Sequence, residues 1–155
     1  MEPICSVDWS PSAEERDALL ELARRSIAHG VEWGRALEVD PEEHTEHLCV
    51  RRGCFVTLER GGALRGCVGS LHARGPLVVE VARSAFLAAF EDPRFPQVAG
   101  DELDELEVHI SVLSEATDMH FRSEDDLLAQ LRPGVDGLIL SDSHGNVGTF
   151  LPQVW

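Results

Sequence analysis

The spacing of apolar side chains in the first part of the chain predicts one long helix. Apolar residues recur every three or four positions from Leu20 to Val31, which places them on one helical face. Just before this stretch, Ser12 and Glu15 have the spacing of a capping box, in which each side chain bonds to the other residue's backbone N–H. We therefore predict a helix over about residues 13–35, followed by an acidic loop over 38–47 that has no apolar period.

A β-hairpin is predicted next, with Gly61 and Gly62 at its turn. Residues 54–60 are rich in strand-forming side chains, residues 63–69 return, and the two glycines supply the positive φ angles of a tight turn. A two-residue turn pairs Arg60 with Ala63 and so sets the register of the whole hairpin. Alternation then places on one face Cys54, Val56, Leu58, Arg65 and Cys67, and on the other Phe55, Thr57, Leu64 and Val68.

The remaining pattern predicts a helix, a strand, a short helix and a second hairpin. A wide apolar stripe runs from Leu77 to Phe90 and stops before the proline-containing turn 92–96. Alternation over 106–112 is typical of a strand with one buried face, Ser123 caps a short helix that ends at Pro133, and 137–151 has the character of a hairpin. This order predicts a single α+β domain over residues 1–155, with a mainly antiparallel sheet packed against helices.

Composition agrees with one packed domain. Hydrophobic residues make up 43 % of the 155 residues, and no apolar run approaches the roughly 20 residues of a membrane span. The N-terminus lacks the basic and apolar segments of a secretion signal, so we expect a cytoplasmic location. In that reducing compartment all four cysteines are expected to remain thiols: Cys5, Cys49, Cys54 and Cys67.

Charge narrows the range of partners and reactions. The chain carries 28 acidic against 13 basic side chains, and its formal net charge of -15 repels nucleic acid and anionic membranes, so neither is an expected partner. It contains no lysine, which excludes Schiff-base chemistry, attachment of pyridoxal phosphate and the lysine of phosphate-binding loops. Any catalysis must therefore use cysteine, histidine, hydroxyl, carboxylate or arginine side chains.

Cys67 is the leading candidate for chemistry, because it lies near the middle of a strand between Gly66 and Gly69. Glycine in a strand interior marks a bulge or a place where another backbone or a ligand comes close. Cys67 is either a small core residue or a functional thiol whose thiolate is favoured by Arg65, which would also orient an anionic substrate. A nucleophilic Cys67 needs a histidine base, for which the open candidates are His29, His72 and His109.

Two further clusters carry groups that bind metals or protons. His44, His47 and Cys49, with Cys54 behind them, offer ligands to a soft cation, but their spacing differs from the paired short spacings of zinc sites. The acidic run 101–107 is typical of a solvated turn that leads into a strand. We therefore assign no metal and no cofactor, and metal carriage by the histidine cluster stays as a third hypothesis.

Five blocks along the chain resemble the AMMECR family, which in bacteria and archaea is the AmmeMemoRadiSam system protein A. They are LRGCVGS, AAFEDPRFPQV, ELEVHISVLSE, LRPGVDGLIL and TFLPQVW, and they extend in this order from about Arg52 to Trp155. The resemblance implies a compact α+β fold, a cleft around the LRGC block, and the absence of the family's C-terminal helix from this chain. It also implies functional positions at Leu64, Arg65, Gly66, Cys67 and Gly69, and at Asp92, Pro93, Arg94 and Phe95.

Two functional hypotheses remain open at this point. In the first, the protein is a thiol-dependent enzyme of a pathway associated with a radical S-adenosylmethionine protein. Cys67 and Arg65 would be catalytic, and a small anionic substrate would be bound by Gly66, Gly69 and Arg94. In the second, the chain is a non-catalytic accessory module that presents the LRGCVG face to a Memo-like or radical S-adenosylmethionine partner. A reactive Cys67 thiol favours the first hypothesis.

Overall fold

In the computed structural model of the protein, helix α1 spans Ala13–Trp33 and begins with the predicted capping box. The Ser12 hydroxyl accepts the Glu15 N–H at 3.1 Å, and the Glu15 carboxylate accepts the Ser12 N–H at 2.9 Å. Gly34 ends the helix with a φ of 68°, a left-handed conformation that favours glycine. The structure describes residues 9–152, so the predictions for Cys5 and for residues 153–155 fall outside it.

A three-stranded antiparallel sheet follows α1 in the chain. Strands β1 (Cys54–Arg60) and β2 (Ala63–Ser70) form the predicted hairpin, and β3 (Leu106–Val112) pairs with the other side of β1. The strand order is therefore β2-β1-β3, with β1 in the middle. Both turn glycines have positive φ, 58° at Gly61 and 78° at Gly62, as predicted.

The predicted register of the hairpin is right at the turn and wrong beyond it. Arg60 pairs with Ala63, but a bulge between Leu58 and Glu59 shifts the pairing, so that Leu58 lies opposite Gly66. Glycine in a strand interior predicts either a bulge or a close approach of another group, and a bulge is present next to Gly66. Its consequence is that Cys67 pairs with Thr57 instead of Val56, and the Cys67 side chain lies on the sheet face opposite to the one predicted.

Helix α2 (Leu77–Phe90) crosses the inner face of the sheet and packs against α1, β1 and β2. Most of its apolar stripe is buried, with Phe86 and Phe90 partly exposed, and the helix ends at Phe90, before the proline-containing turn. The inward side chains of β1 complete the core, which includes Ile27, Val56, Leu58, Val78, Val81 and Ala85. The other face of the sheet, which carries Cys67, is covered by neither α1 nor α2.

Residues from Ala116 onward form a second compact unit. It contains the short helix α3 (Glu124–Gln130), which is capped by Ser123, and the antiparallel pair β4 (Leu138–Ser141) and β5 (Val147–Phe150). These elements confirm the predicted order and the α+β class. No helix in the described part of the chain combines the length and the apolar character that a membrane crossing needs.

Candidate functional site

The thiol of Cys67 lies on the outer face of the sheet and is partly exposed. Thr57 is its cross-strand partner, and the Thr57 hydroxyl donates a hydrogen bond to the sulfur at 3.3 Å. The two strands bring these side chains together because directly paired residues of antiparallel strands point to the same face. Sequence reasoning missed Thr57, since the register without a bulge placed it on the opposite face from Cys67.

The backbone of Cys67 is held by the turn that follows α2. Asp92 accepts the Cys67 N–H through Oδ2 at 2.9 Å, and Nη2 of Arg94 donates to the Cys67 carbonyl at 3.4 Å. Arg94 also binds Asp92 directly, from Nη2 at 2.8 Å and from Nε at 3.0 Å. The LRGC and DPRF blocks, which are separate in sequence, therefore form one connected cluster around Cys67.

Asp92 is the buried centre of this cluster. Its side chain is 3 % exposed, and Oδ1 additionally accepts the backbone N–H of Arg94 at 3.1 Å. The hydrogen bond from the Arg94 side chain is the main reason why the pKa of Asp92 lies far below its usual range, with a further contribution from the Cys67 N–H. Asp92 consequently stays ionised at all ordinary pH values and acts as a fixed acceptor rather than as a proton donor.

Arg65 points away from this cluster into a second ionic group. Its guanidinium binds Glu102 through Nε at 2.9 Å and Nη2 at 3.0 Å, and it donates to the carbonyls of Pro96 and Gln97. The Arg65 side chain is only 12 % exposed, and Arg60 binds the same Glu102 carboxylate at 3.0 Å. The observed contacts of Arg65 are thus internal to the protein.

Glu102 corrects the interpretation of the acidic run as a solvated turn. Residues 100–105 form a 3-10 helix that leads into β3, and Glu102 is buried within it. Besides the two arginines, the Ala99 N–H donates to this carboxylate at 2.9 Å. The segment 101–107 contains five acidic residues, and nothing local to it indicates that Glu102 is the buried one. The reason is that the cationic partners of Glu102 lie on the distant hairpin.

Acid should weaken the bonds between Glu102 and the arginines. The hydrogen bond from Arg65, followed by that from the Ala99 N–H, lowers the pKa of Glu102 to about 2, against about 4.3 for glutamate in an unfolded chain. A lowered folded-state pKa adds stability above the unfolded value, and this contribution is lost as the pH falls from about 4.3 towards 2. The loss in free energy of unfolding caused by Glu102→Gln, measured with urea, should therefore shrink over this range.

Glu91→Gln is the matched control for this titration, since Glu91 is exposed at the end of α2 and its carboxylate makes no ion pair with the described residues. Its effect on the free energy of unfolding should stay small and nearly constant with pH. A Glu102→Gln effect that does not change between pH 5 and pH 2.5 would contradict the low pKa of Glu102.

Gly66 and Gly69 are close-packed against neighbouring backbone. A Cβ on Gly66 would overlap the carbonyl oxygen of Ala88 in α2, and a Cβ on Gly69 would overlap the carbonyl oxygen of Cys54 in β1. The prediction that these glycines mark a close approach is confirmed, and in both cases the approaching group is protein backbone. The glycines allow β2 to lie directly against α2 and β1.

One of the three candidate bases lies in the same cross-strand row as the thiol. His109 on β3 pairs with Thr57, which in turn pairs with Cys67, so the three side chains cross the outer face in order. His109 Nε2 is 3.6 Å from Glu59, and the ligand atoms of Glu59, Glu107 and His109 all lie within 4.8 Å of one another. The sheet thus brings a thiol, a hydroxyl, an imidazole and two carboxylates to one face.

The residues of the predicted histidine and cysteine cluster have other neighbours. His47 Nδ1 lies 2.8 Å from the Glu15 carboxylate, and its ring packs beside Trp9. The Cys49 thiol donates to the Pro41 carbonyl at 3.3 Å, while burial raises the pKa of the Cys54 thiol to about 12. Within residues 9–152, the only group of three metal-binding side chains that converges on one point is that of Glu59, Glu107 and His109.

The chain is similar to one family model, to several proteins of archaea and to a solved structure. The model of the AMMECR1 family matches residues 20–155. A protein of Methanothermobacter thermautotrophicus is 38% identical over 143 residues, which cover 92% of this chain and 73% of that protein. A protein of Thermococcus gammatolerans is 40% identical over 141 residues, covering 88% and 67%. The crystal structure of an uncharacterized protein from Pyrococcus horikoshii, 35% identical, has a TM-score of 0.77 and covers 88% of this chain and 68% of that chain. This chain therefore belongs to the AMMECR1 family.

Proposed function

We propose that the protein is a thiol-dependent enzyme in which Cys67 reacts with a small anionic substrate on the outer face of the sheet. The observation that carries the proposal is the hydrogen bond from the Thr57 hydroxyl to the partly exposed Cys67 sulfur. A hydrogen bond donated to sulfur stabilises the thiolate more than the thiol, and the thiolate is the nucleophilic form. Cys54, which is buried, lacks this combination of access and a hydroxyl donor on a neighbouring strand.

Asp92 and Arg94 hold the backbone of Cys67 in place, and so fix the position of its thiol. Both backbone polar groups of Cys67 are bonded to these two side chains, and Asp92 is itself bonded by Arg94. A nucleophile gains from such an arrangement because the reacting atom is held in place before the substrate binds. Asp92 and Arg94 are positioning residues in this proposal, since their contacts reach the Cys67 backbone.

Arg94 also supplies the positive charge that an anionic substrate needs near the thiol. Its side chain is 56 % exposed, and its bonds to the described residues go through Nε and Nη2, which leaves the Nη1 group for a ligand. Arg65 was predicted for this role, but its guanidinium is already bonded to Glu102 and two carbonyls. We therefore assign substrate binding to Arg94 and a supporting role to Arg65.

His109 is the base that this geometry favours among the three histidines. Two strand spacings, about 9–10 Å, separate its strand from that of Cys67. This separation is too long for a direct hydrogen bond, so the thiol proton would reach His109 through water above Thr57. Glu59, 3.6 Å from Nε2, would then stabilise the protonated imidazole.

The test is the pH dependence of alkylation at each cysteine of the native protein, with iodoacetamide and a mass-spectrometric readout. We expect Cys67 to react fast in the folded protein and Cys54 to stay silent. Thr57→Val should slow the Cys67 reaction at pH 7 about tenfold, which corresponds to one hydrogen bond of ~1.4 kcal/mol. Thr57→Ser keeps the hydroxyl and is the matched control.

A second candidate function is favoured by the contacts of the LRGC block itself. Internal contacts engage Arg65, through an ion pair, and Gly66 and Gly69, through close packing. These contacts are expected of an accessory module in which the LRGC block maintains the shape of a binding surface instead of contacting a substrate. In that role the face would contact a Memo-like or radical S-adenosylmethionine partner. A Cys67 that resists alkylation until the protein unfolds would overturn the enzyme proposal, and capture of one of these two partners by the wild-type protein would then support the module.

A further inference from the structure

A small cavity lies between the end of β2 and the first half of α2. It has a volume of about 60 Å³, which is room for several water molecules. Its lining is mainly polar and includes Gly69, Ser70, Arg74, Glu80, Arg83 and Ser84. The cavity is on the helix side of the hairpin, whereas the Cys67 thiol faces the other side of the sheet, so this is a separate feature of the molecule.

Glu80 is the unusual member of the lining. It is 4 % exposed, and among residues 9–152 its carboxylate has neither a hydrogen-bond donor nor an ion-pair partner. No buried side-chain oxygen of the described residues lacks a hydrogen-bond partner, so the unpaired oxygens of Glu80 are those that reach the cavity. The residue lies in the first turn of α2, where the helix dipole favours a negative charge. A carboxylate in this state is prepared to bind a cationic group that enters the cavity.

Two arginines determine which cation the cavity would accept. Arg74 and Arg83 line the same cavity, are exposed, and make no ion pair with the part of the chain that the structure describes. A metal ion would have one carboxylate as ligand and two guanidinium groups as neighbours, which is an unfavourable set for a divalent cation. The same arginines favour an anionic group at the mouth of the cavity.

From these contacts we infer that the cavity binds a small zwitterion of the amino-acid type. The ammonium group of the ligand enters the cavity and pairs with Glu80, while its carboxylate stays at the mouth with Arg74 and Arg83. The cavity volume suits the ammonium end, and the rest of the ligand lies outside. This inference does not rest on the reaction proposed for Cys67, because no group of the cavity contacts that thiol.

The binding test uses the whole protein and records its amide spectrum during titration with glycine, β-alanine and γ-aminobutyrate, which differ in the distance between their charges. We expect at least one of them to shift the amide signals of Gly69, Ser70 and Ser84 in a saturable way. Methylammonium and acetate, which carry one charge each, should bind at least tenfold more weakly. If no zwitterion shifts these signals at 20 mM, or if methylammonium binds equally well, the inference is wrong.

Glu80→Gln and Arg83→Gln test the two halves of the site. Each should weaken zwitterion binding at least tenfold, whereas Glu91→Gln and Arg25→Gln, exposed controls on α2's end and on α1, should change it less than twofold. The urea midpoint of free Glu80→Gln provides the check on folding. It should stay close to that of the wild type, because the carboxylate that is replaced makes no hydrogen bond or ion pair with residues 9–152. A lower midpoint together with unchanged binding would assign Glu80 a purely structural role.

Discussion

Replacing Gly66 with alanine should lower the free energy of unfolding by about 3 kcal/mol, at the upper end of the cost of overpacking a core. The added methyl carbon would overlap the Ala88 carbonyl oxygen, which belongs to the backbone of α2. A backbone group cannot rotate away as a flexible side chain would, so β2 and α2 must separate. Separation also opens the contacts of Val81 and Ala85 with the sheet.

Urea unfolding of Gly66→Ala measures this cost, and Gly148→Ala is its control. Gly148 also lies in a strand, but a Cβ there would meet nothing within 4 Å, so alanine should change the free energy of unfolding by less than about 0.5 kcal/mol. A Gly66→Ala protein as stable as the wild type would mean that α2 does not lie against β2 in solution.

Asp92→Asn is expected to cost about 3 kcal/mol, within the range for breaking a buried charged pair. The amide keeps one acceptor oxygen, whereas the carboxylate binds four donors with two oxygens. The new NH2 group would face either the Cys67 N–H together with Nη2 of Arg94, or the backbone N–H together with Nε of Arg94, so two donors are left without an acceptor in either orientation. The bond that holds the Cys67 backbone is therefore weakened together with global stability.

Hydrogen exchange separates the local effect of Asp92→Asn from the global one. The Cys67 amide should lose more protection than the amides of the central strand β1, because its acceptor has changed. Asp104→Asn is the control, as Asp104 is an exposed aspartate elsewhere in the same unit. Equal loss of protection at Cys67 and throughout β1 would mean that Asp92 stabilises the unit without holding the thiol in place.

The secondary structure could be predicted because its signals are local. The capping box of Ser12 and Glu15, the glycine pair at the hairpin turn and the apolar stripe of α2 each lie within a few residues of the element that they define. Turn chemistry and apolar periodicity act at this range, whatever the tertiary structure. For these elements the sequence sufficed, and even the order that implies an α+β fold was correct.

The face of the sheet that carries Cys67 could not be predicted in the same way. One extra residue in β2 reverses the direction of every side chain beyond it, and alternation cannot locate such a residue when both faces of the strand are of mixed polarity. Gly66 indicated a bulge nearby, but not the strand positions between which it falls. The position of the bulge is tied to the contact between Gly66 and Ala88, which are far apart in sequence.

The ionic groups around the site were the hardest part to predict. Glu102 is buried beside cations of the distant hairpin, and Asp92 is buried between Arg94 of its own turn and the Cys67 N–H of β2. Nothing in the acidic run 101–107 distinguishes Glu102 from its neighbours until Arg65 is placed beside it. Arg65 itself was assigned to a substrate from its sequence position near Cys67, whereas its observed partners are Glu102 and two carbonyls.

Closure of the β2 edge has a consequence for association between molecules. Strands at the edge of a sheet tend to pair with strands of other chains through their free N–H and C=O groups, and this pairing leads to aggregates. At Cys67 both groups are already occupied by Asp92 and Arg94. A foreign strand would have to displace a buried carboxylate to pair there, so the turn after α2 blocks strand addition at this point of the β2 edge.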